Sequence, residues 1–338
     1  MFEQLFSDFK NKHIAVVGDV MLDTYWWGQT DRISPEAPVP VVSLKEKETR
    51  IGGAGNVALN VASLGARVSM HTVTGADEDG LLLELMMKDR GIDTEGVWKS
   101  PNRMTTNKIR IISRSQQVLR LDKELANDLE DEEADRFYKK TITLFNAMPP
   151  DVVIFEDYNK GVLTKKVIGK LTEHCSQHGI LTAVDPKRKN FFEYKGVDIF
   201  KPNWKEAREA LNFLDGKASL ENLKAIHELL NQQLGHKISF ITLSEAGVFY
   251  QHDKGAVILP AFIRNIADVS GAGDTVIAVA ALVYASTRDP RLMALVANLA
   301  GGLVCEEVGT VAIDSNRLLN ECLQLLTDEE NPGGSLDG

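Results

Sequence analysis

The sequence predicts an α/β fold with a mostly parallel sheet and helices on both of its faces. Short apolar runs of strand length alternate along the chain with amphipathic segments of helical period, and this alternation is typical of parallel sheets with helical crossovers. The composition, with 43% hydrophobic and 25% charged residues, is that of an ordinary globular protein. The 338 residues suffice for two domains, or for one large domain that carries an inserted element.

The apolar runs predict the strands of this sheet, and the periodic segments between them predict the helices. Strands are expected at residues 14–17, 68–72, 152–155, 181–184, 199–201 and 238–243. Helices are expected at residues 54–64, 81–90, 131–145, 165–178, 204–211, 220–233, 274–284, 292–308 and 317–326.

Two segments interrupt this alternation of strands and helices, at about residues 22–50 and 97–123. Both are rich in β-prone residues, with prolines or alternating polar and apolar side chains, so we expect them to form a small second sheet. Such a sheet would act as a lid over a substrate. We therefore expect one domain at residues 1–330 with the two lid segments inserted in its core, followed by a flexible, Gly-rich tail at residues 331–338.

Charge and cysteine usage exclude several classes of protein. The net charge is −10 and no basic run is present, which argues against binding to nucleic acid or to an anionic membrane. The three cysteines lack the close spacing of a zinc or redox site. The longest apolar run, at residues 276–285, is too short to span a bilayer, and no signal peptide is evident. We expect a soluble protein of the cytoplasm.

The glycine-rich segment at residues 268–275 leads directly into an apolar helix. Small residues at a helix N-terminus let backbone N–H groups converge on an anion, so the amides of Gly271, Ala272 and Gly273 are candidates for a phosphate site. Asp274 follows them and has two interpretations, which can coexist. It caps the helix, or it accepts a proton from a hydroxyl that attacks a phosphate.

A second glycine-rich segment, at residues 52–58, contains the letters of a dinucleotide fingerprint. That fingerprint needs a buried strand before its first glycine, and the charged residues 45–50 cannot supply one, which disfavours a nicotinamide oxidoreductase. Gly52 and Gly53 instead allow the backbone to approach a polyhydroxylated ligand, with Asn56 as donor and acceptor. A tight turn without a ligand is the alternative.

Two further pairs of residues are candidates for metal sites. Asn203 and Glu206 begin a helix after a predicted strand, where they form a capping box or hold a hydrated Mg²⁺ against nucleotide phosphates. His174 and His178 are four residues apart on a helix, but no third ligand is evident, so we expect a surface pair rather than a metal site.

These motifs, in this order, resemble those of the ribokinase-like (PfkB) carbohydrate kinases over essentially the whole chain. The resemblance implies a three-layer α/β/α core with a β-sheet lid, and an ATP-dependent sugar kinase that uses Mg²⁺. Activation by a monovalent cation is common in the family. In such a kinase Asp274 is the catalytic base, and the amides at 271–273 form the anion hole. Val279 departs from the pattern, since the family usually has glycine there.

The resemblance also implies binding residues. On the nucleotide side, it implies Asn203, Glu206, Ser244, Glu245 and Gly247, with Ser244 where the family usually has glycine, and Asn298 near the adenine unless it is a core amide. For the sugar it implies Asp23, unless that residue caps local amides, and Gly52, Gly53, Asn56 and Asp157. Cations for a substrate phosphate are Arg120, Lys160 and Lys187, unless they are surface charges.

Within the family, residues 32–40, 116–122, 157–161 and 185–187 resemble the D-glycero-β-D-manno-heptose 7-phosphate kinases of lipopolysaccharide precursor synthesis. This implies transfer of phosphate to the anomeric hydroxyl, giving the 1,7-bisphosphate on the route to ADP-heptose. No HxGH-type nucleotidyltransferase motif is present, so a stand-alone kinase is expected. Alternatives are a kinase for another sugar or sugar phosphate and a non-catalytic nucleotide-binding dimer. Exposed lid edges predict a homodimer through the lid.

Overall fold

The computed structural model describes residues 1–114, 116–253 and 255–326, so the expected tail at 331–338 lies outside the described residues. Helices and strands alternate along most of this length. In chain order they are α1 Phe2–Phe9, β1 His13–Gly18, β2 Val20–Ile33, β3 Pro40–Gly53, α2 Ala54–Ser63, β4 Arg67–Gly75, α3 Glu78–Asp89, β5 Val97–Ser100, β6 Asn107–Ser113, β7 Gln116–Lys123, α4 Asp131–Ala147, β8 Val152–Glu156, α5 Lys165–His178, β9 Leu181–Asp185, β10 Ile199–Phe200, α6 Trp204–Leu211, α7 Leu220–Leu234, β11 Ile238–Thr242, β12 Val248–His252, β13 Gly255–Leu259, α8 Ala272–Thr287, α9 Pro290–Val304 and α10 Ser315–Leu325.

The large sheet has the strand order β13-β12-β11-β10-β9-β8-β1-β4-β5. All neighbours are parallel except the pairs β11–β12 and β12–β13 at one edge. The carboxyl ends of the central strands are in register, because Gly18 on β1 pairs with Glu156 on β8, which pairs with Asp185 on β9. Ligands of open parallel sheets bind at this end of the strands, and the candidate residues lie there.

Two helical layers cover the faces of the large sheet, with α1, α2, α8 and α9 on one face and α4 to α7 on the other. Helix α8 is apolar on all sides because it lies between the sheet, α2 and α9, and its residues from Ile277 to Val283 have no exposed surface. This placement fixes the N-terminus of α8, which carries Asp274, against the carboxyl ends of β8 and β9.

The lid is a separate sheet with the order β3-β2-β6-β7. The long strands β2 and β3 form an antiparallel ladder from Val20↔Gly53 to Ile33↔Pro40, and β6 joins β2 in parallel. The expected second lid segment at 97–123 begins later than predicted. Residues 97–100 form β5, which pairs with β4 at the edge of the large sheet, so the lid resumes only at Asn107.

The predicted α/β fold with a mostly parallel sheet and a lid is confirmed. Helix α1 was not predicted, although Phe2, Leu5, Phe6 and Phe9 form an apolar stripe that is buried against α8 and α10. The antiparallel strands β12 and β13 were also not predicted. Helix α9 ends at Val304, before the expected residue 308. Among the described helices, none combines the length and the apolar character that crossing a membrane requires.

Candidate active site

Asp274 lies in the first turn of α8 and is only 3% exposed. It does not cap the helix, because the N-cap is Gly271 and no side chain makes a cap hydrogen bond there. Its carboxylate instead accepts two hydrogen bonds from other parts of the chain. Asn56 Nδ2 donates to Oδ2 at 2.8 Å, and the hydroxyl of Tyr158 donates to Oδ1 at 2.7 Å. The carboxylate is therefore held in one orientation from both sides.

The surroundings of Asp274 leave its carboxyl group deprotonated at neutral pH, as a base must be. Burial raises its pKa to about 6, although the hydrogen bonds from Asn56 and Tyr158 lower the pKa. A carboxylate with this pKa is ionised at pH 7 and still takes a proton more readily than an exposed aspartate. The contact also changes the role expected for Asn56, because its amide nitrogen binds Asp274 rather than remaining free for a sugar.

Of the two glycines beside Asp274, Gly271 is required by its backbone and by a close contact. It has φ +78°, and a Cβ there would lie 2.7 Å from Asn56 Nδ2. At Gly273 a Cβ would lie 3.7 Å from Asp185 Oδ2 and Lys201 Nζ, which is an ordinary contact distance. The amide of Ala272 donates to the carbonyl of Val269 at 3.3 Å, a long bond that an anion must displace if all three expected amides are to bind it.

A cluster of opposite charges lies beside Asp274 at the ends of β9 and β10. Asp185 receives Lys187 Nζ at 3.0 Å and Lys201 Nζ at 2.8 Å. These two ammonium groups lower the pKa of Asp185 despite its burial. Lys187 Nζ also contacts Glu206 Oε1 at 3.0 Å and lies 5.4 Å from the centre of the Tyr158 ring. Lys187 is thus next to the catalytic candidate, not at the far end of the substrate as expected.

Asn203 and Glu206 form the predicted capping box of α6, with hydrogen bonds of 2.8 and 2.9 Å between each side chain and the other residue's backbone N–H. Within the capping box, Oε2 of Glu206 accepts the hydrogen bond from Asn203. The other oxygen, Oε1, contacts Lys187, which lies between Glu206 and Asp185. Carboxylate oxygens grouped in this way match the ligand preference of Mg²⁺, which usually retains several waters. The two interpretations of this pair are therefore compatible in one geometry.

The lid contributes a second set of charges. Asp23 on β2 is 4% exposed, and its Oδ1 accepts a 2.6 Å hydrogen bond from Arg110 on β6. Gly52 allows this position, since a Cβ there would lie 2.1 Å from Asp23 Oδ2. Lys108, two residues before Arg110 on β6, lies 5.6 Å from the centre of the Tyr158 ring. One face of the lid sheet therefore meets the core at Tyr158.

Gly53 marks the point where the lid returns to the core, with φ +59° and a Cβ position only 2.5 Å from the carbonyl of Asp19. The preceding residues 45–50 belong to the partly exposed lid strand β3, not to a buried parallel strand. This geometry excludes the dinucleotide-binding interpretation of the glycine run, as the charge pattern predicted.

Three of the expected substrate residues have other partners. Asp157 is fully buried and accepts hydrogen bonds from the Tyr194 hydroxyl at 2.8 Å and the Asn159 amide at 2.8 Å, so it holds the loop after β8 rather than facing a ligand. Lys160 Nζ pairs with Glu124 at 2.7 Å. Arg120 on β7 lies directly across the ladder from Arg110. Its side chain is 53% exposed and pairs with Asp122.

On the nucleotide side, the turn after β11 contains Ser244 and Glu245, both exposed. Ser244 has φ +54°, a left-handed conformation that favours glycine. Gly247 has φ +94°, and a Cβ there would lie 2.1 Å from the carbonyl of Leu259. Asn298 is buried and donates to the carbonyl of Pro260 at 2.8 Å, which supports the core-amide alternative and differs from the expected contact with adenine.

The pattern of the pfkB family carbohydrate kinases matches residues 11–316. The chain belongs to this family. It is 36% identical over 345 aligned residues to a protein of Geobacter metallireducens named "Bifunctional protein HldE", and 39% identical over 315 to its namesake in Desulfatibacillum aliphaticivorans. These alignments cover 99% and 92% of this chain and 68% and 63% of the relatives. The chain thus spans about two thirds of their length.

Solved structures show the same fold for this pfkB kinase. Phosphofructokinase-2 from Escherichia coli in complex with potassium has a TM-score of 0.77 at 15% identity, covering 94% of this chain and 99% of that one. Ribokinase from Arabidopsis thaliana complexed with ribose and ATP has a TM-score of 0.70 at 17% identity, covering 91% and 98%. A sugar kinase of this family uses ATP and typically Mg²⁺.

Several residues at the site of this kinase were not assigned from the sequence. Tyr158 and Asp185 lie within segments already noted, but their contacts with Asp274 and the lysines depend on the fold. Asp19 is buried and accepts three backbone amides of the loop at 158–162, which positions Tyr158. Lys108 and Arg110 alternate on β6, and this period-two pattern of basic residues on a lid strand could have identified them.

Proposed function

We propose that this pfkB kinase transfers the γ-phosphoryl group of ATP to the anomeric hydroxyl of D-glycero-β-D-manno-heptose 7-phosphate, giving the 1,7-bisphosphate for ADP-heptose synthesis. The observation that carries the transfer step is the buried carboxylate of Asp274, held by Asn56 and Tyr158 beside the glycine amides. The choice of sugar is supported by the sequence resemblance to heptose 7-phosphate kinases and by the HldE relatives.

In this mechanism Asp274 takes the proton of the anomeric hydroxyl as its oxygen attacks the γ-phosphate. Asn56 and Tyr158 fix the carboxylate, so no reorientation is needed during the reaction. The amides at the start of α8 and Lys187 stabilise the negative charge of the transferring group. Asn203 and Glu206 would hold Mg²⁺, which neutralises charge on the ATP phosphates when bound. Asp23 accepts a hydrogen bond from a sugar hydroxyl.

The lid supplies cations that suit a phosphorylated sugar. Arg110 and Arg120 are directly opposite each other on β6 and β7, and Lys108 lies on the same lid face nearer the core. Guanidinium groups bind phosphate through paired hydrogen bonds and keep their charge at any relevant pH. A sugar that carries phosphate at the end remote from the reacting hydroxyl would therefore place that phosphate against the lid.

We also propose that the protein is a cytoplasmic homodimer through the lid. Leu119 and Leu121 on β7 and Leu44 on β3 are exposed, and β3 and β7 are the edges of the lid sheet. Unpaired edges with apolar side chains favour pairing with another chain. Light scattering should give twice the chain mass, and the double substitution Leu119→Asp, Leu121→Asp should give the chain mass. An unmodified protein with the mass of one chain contradicts this proposal.

The function is tested by measuring ADP release with ATP and Mg²⁺ over a panel of sugars. The panel contains heptose 7-phosphate, fructose 6-phosphate and ribose, and ³¹P NMR identifies the position of the new phosphate. We expect the highest kcat/KM with heptose 7-phosphate and a new phosphate at C1. Turnover of ribose or a hexose phosphate without turnover of the heptose would overturn the substrate assignment. Nucleotide binding without turnover of any sugar phosphate would favour a non-catalytic protein.

A further inference from the structure

Arg50 is a lid residue whose side chain reaches a distant part of the chain. It lies on β3, three residues before Gly53, where the lid returns to the core, and its side chain is 24% exposed. Its guanidinium Nη1 donates to the carbonyl of Val308 at 2.7 Å and to the carbonyl of Thr310 at 3.3 Å. The mechanism above gives Arg50 no role.

The two carbonyls belong to the segment between α9 and α10, which has an irregular backbone. Backbone carbonyls outside regular helices and strands need other donors, and a charged donor makes a stronger hydrogen bond than a neutral one. Gly309 lies between the two carbonyl residues. It has φ +74°, and a Cβ there would lie 2.5 Å from Arg50 Nη1. Arg50 therefore holds the backbone of this segment from the lid side.

The same segment holds the glycine-rich loop that precedes α8. The amide of Gly309 donates to Asp268 Oδ2 at 2.9 Å. The other oxygen of Asp268 accepts hydrogen bonds from the amide of Ser270 at 3.0 Å and from its hydroxyl at 2.8 Å. Thr310 lies beside Gly271, since a Cβ at Gly271 would be 3.2 Å from Thr310 Cγ2. A shift of the segment would therefore shift the start of α8.

On the lid side, Arg50 is connected to residues expected to bind the sugar phosphate. It lies directly across the β2–β3 ladder from Asp23, and side chains in such a pair project from the same face of a sheet. Its guanidinium carbon is 5.2 Å from the centre of the Tyr25 ring, and that of Arg110 is 5.3 Å from the same ring. Cations are attracted to an aromatic ring at such distances. Glu48 contacts Arg50 Nε at 2.6 Å and compensates its charge.

We propose that Arg50 is a positioning residue for phosphoryl transfer. It holds residues 308–310, and through Gly309 and Asp268 it holds the backbone amides at 271–273 around the transferring group. The inference rests on the proposed role of those amides. Such donors lower the barrier only when they are already in place around the developing charge, and a small displacement of catalytic groups costs up to about 10²-fold in rate.

The kinetic test is Arg50→Ala. The amides at the start of α8 act on the transferring group, so we expect kcat to fall about 10–100-fold, with KM for ATP and for the sugar within about threefold of the unmodified values. Millimolar guanidinium chloride should restore part of kcat, because it supplies the missing donor. An equal concentration of tetramethylammonium chloride, which cannot donate a hydrogen bond, should not. Arg50→Lys keeps the charge but not the planar guanidinium, so its kcat should be intermediate.

Arg114→Ala is the matched control, because Arg114 is another arginine of the lid region but is 71% exposed and pairs with Asp31. It should leave kcat and both KM values unchanged. Hydrogen exchange measured by mass spectrometry, without nucleotide or sugar, tests the contact directly. In Arg50→Ala, the amides at 305–310 and 267–273 should exchange faster than in the unmodified protein, while those of α5 should be unchanged.

An unchanged kcat in Arg50→Ala, a loss confined to KM, equal recovery with the two salts, or unchanged exchange at 267–273 would each overturn the proposal. If Arg50→Ala does not fold, the kinetic and exchange measurements are made on Arg50→Lys. The kinetic assay uses whichever sugar of the panel supports ADP release, so a wrong sugar assignment does not affect it. The exchange measurement needs no substrate, so it decides whether Arg50 holds the loop even where no sugar is phosphorylated.

Discussion

Two groups of polar and charged side chains face each other across the candidate site, and they are built differently. The core group, Tyr158, Asp185, Lys187 and Asp274, lies at the strand ends and the start of α8, where both carboxylates are buried. The lid group consists of Asp23, Lys108, Arg110 and Arg120 on strands of the small sheet, and it ranges from buried Asp23 to Arg120, which is 53% exposed.

This difference indicates that the core group and the lid group have different functions. The core group is fixed by hydrogen bonds between elements far apart in sequence, such as Asn56 to Asp274, and burial raises the pKa of Asp274 to about 6. The lid group consists of ion pairs within the small sheet. Arg110 pairs with Asp23 on the neighbouring strand, and Arg120 pairs with Asp122 on its own strand. We infer that the core group performs phosphoryl transfer and that the lid group selects the sugar.

The largest expected effect is on the core group. Asp274→Asn removes the proton acceptor and should lower kcat by about 10²–10⁴-fold, the usual contribution of a general base. ATP binding and the circular dichroism spectrum should be unchanged, because an asparagine can accept from Asn56 and donate to the hydroxyl oxygen of Tyr158. A variant that keeps kcat within tenfold of the unmodified value, measured by ADP release, would remove Asp274 from the mechanism.

The same substitution should lower kcat but raise the stability of the folded protein at high pH. The pKa of Asp274 is about 6 in the folded protein against 3.8 for an unperturbed aspartate. The contribution of this carboxyl to stability is therefore complete below pH 3.8, declines as the pH rises towards 6, and stays lost above it. At pH 8, Asp274→Asn should be more stable than the unmodified protein by up to about 3 kcal/mol, and this difference should vanish near pH 4.

Urea unfolding of both proteins at pH 8 and at pH 4 measures this difference. A variant that is less stable at pH 8 would show that the charged carboxylate stabilises the fold, and that the core group is not held at a cost in stability. Unfolding midpoints should be compared at constant ionic strength, since exposed ion pairs weaken with salt.

A smaller effect is expected for the lid group. Arg110→Gln removes the guanidinium group that is proposed to bind the substrate phosphate, and it should raise KM for the sugar phosphate about 10–100-fold, with kcat within a few-fold of the unmodified value. The steady-state split between KM and kcat is the readout that separates selection from chemistry. A loss confined to kcat would assign Arg110 to the core group instead.

Arg120→Gln is the matched control for this prediction. Arg120 is directly across the ladder from Arg110, but it is more exposed and its known partner is Asp122 on its own strand. Because Arg120 is more exposed, water screens its attraction for the substrate phosphate, so the KM of Arg120→Gln for the sugar phosphate should rise by less than about fivefold. Equal effects of the two substitutions would show that the lid cations act as a diffuse field rather than through particular contacts.

The sequence predicts most of the core and much of the lid because local patterns determine them. The limits of α5 at Lys165–His178 and α6 at Trp204–Leu211 match the predicted helices, since each has a side-chain cap at its N-terminus and a left-handed residue at its C-cap. Strand β5 was assigned to the lid because a short β-prone run does not show which sheet it joins. The pairing of β5 with β4 is a long-range contact.

The site was predicted less completely than the fold. Asp274, Asn203 and Glu206 lie in motifs whose chemistry is local. The role of Tyr158 depends on the loop at 158–162, which buried Asp19 holds from the junction of β1 and β2, and Lys187 contacts Glu206 at the start of α6. No spacing in the sequence encodes these two contacts. Lys187 was expected to bind the substrate phosphate because it follows the end of a strand, where ligands of this fold bind. Only the fold shows that it meets Glu206 and Asp185 next to the reacting group.

The pH dependence of kcat/KM tests the central claim most directly, that Asp274 is a base held by Asn56 and Tyr158. This ratio reports the ionisation of the free enzyme, so kcat/KM of the unmodified protein should fall below about pH 6 as Asp274 is protonated. The Tyr158 hydrogen bond lowers the pKa of Asp274, so Tyr158→Phe should move this fall to higher pH under identical substrate conditions. Superimposable profiles for the two proteins, or a kcat/KM independent of pH between 5 and 8, would contradict the account.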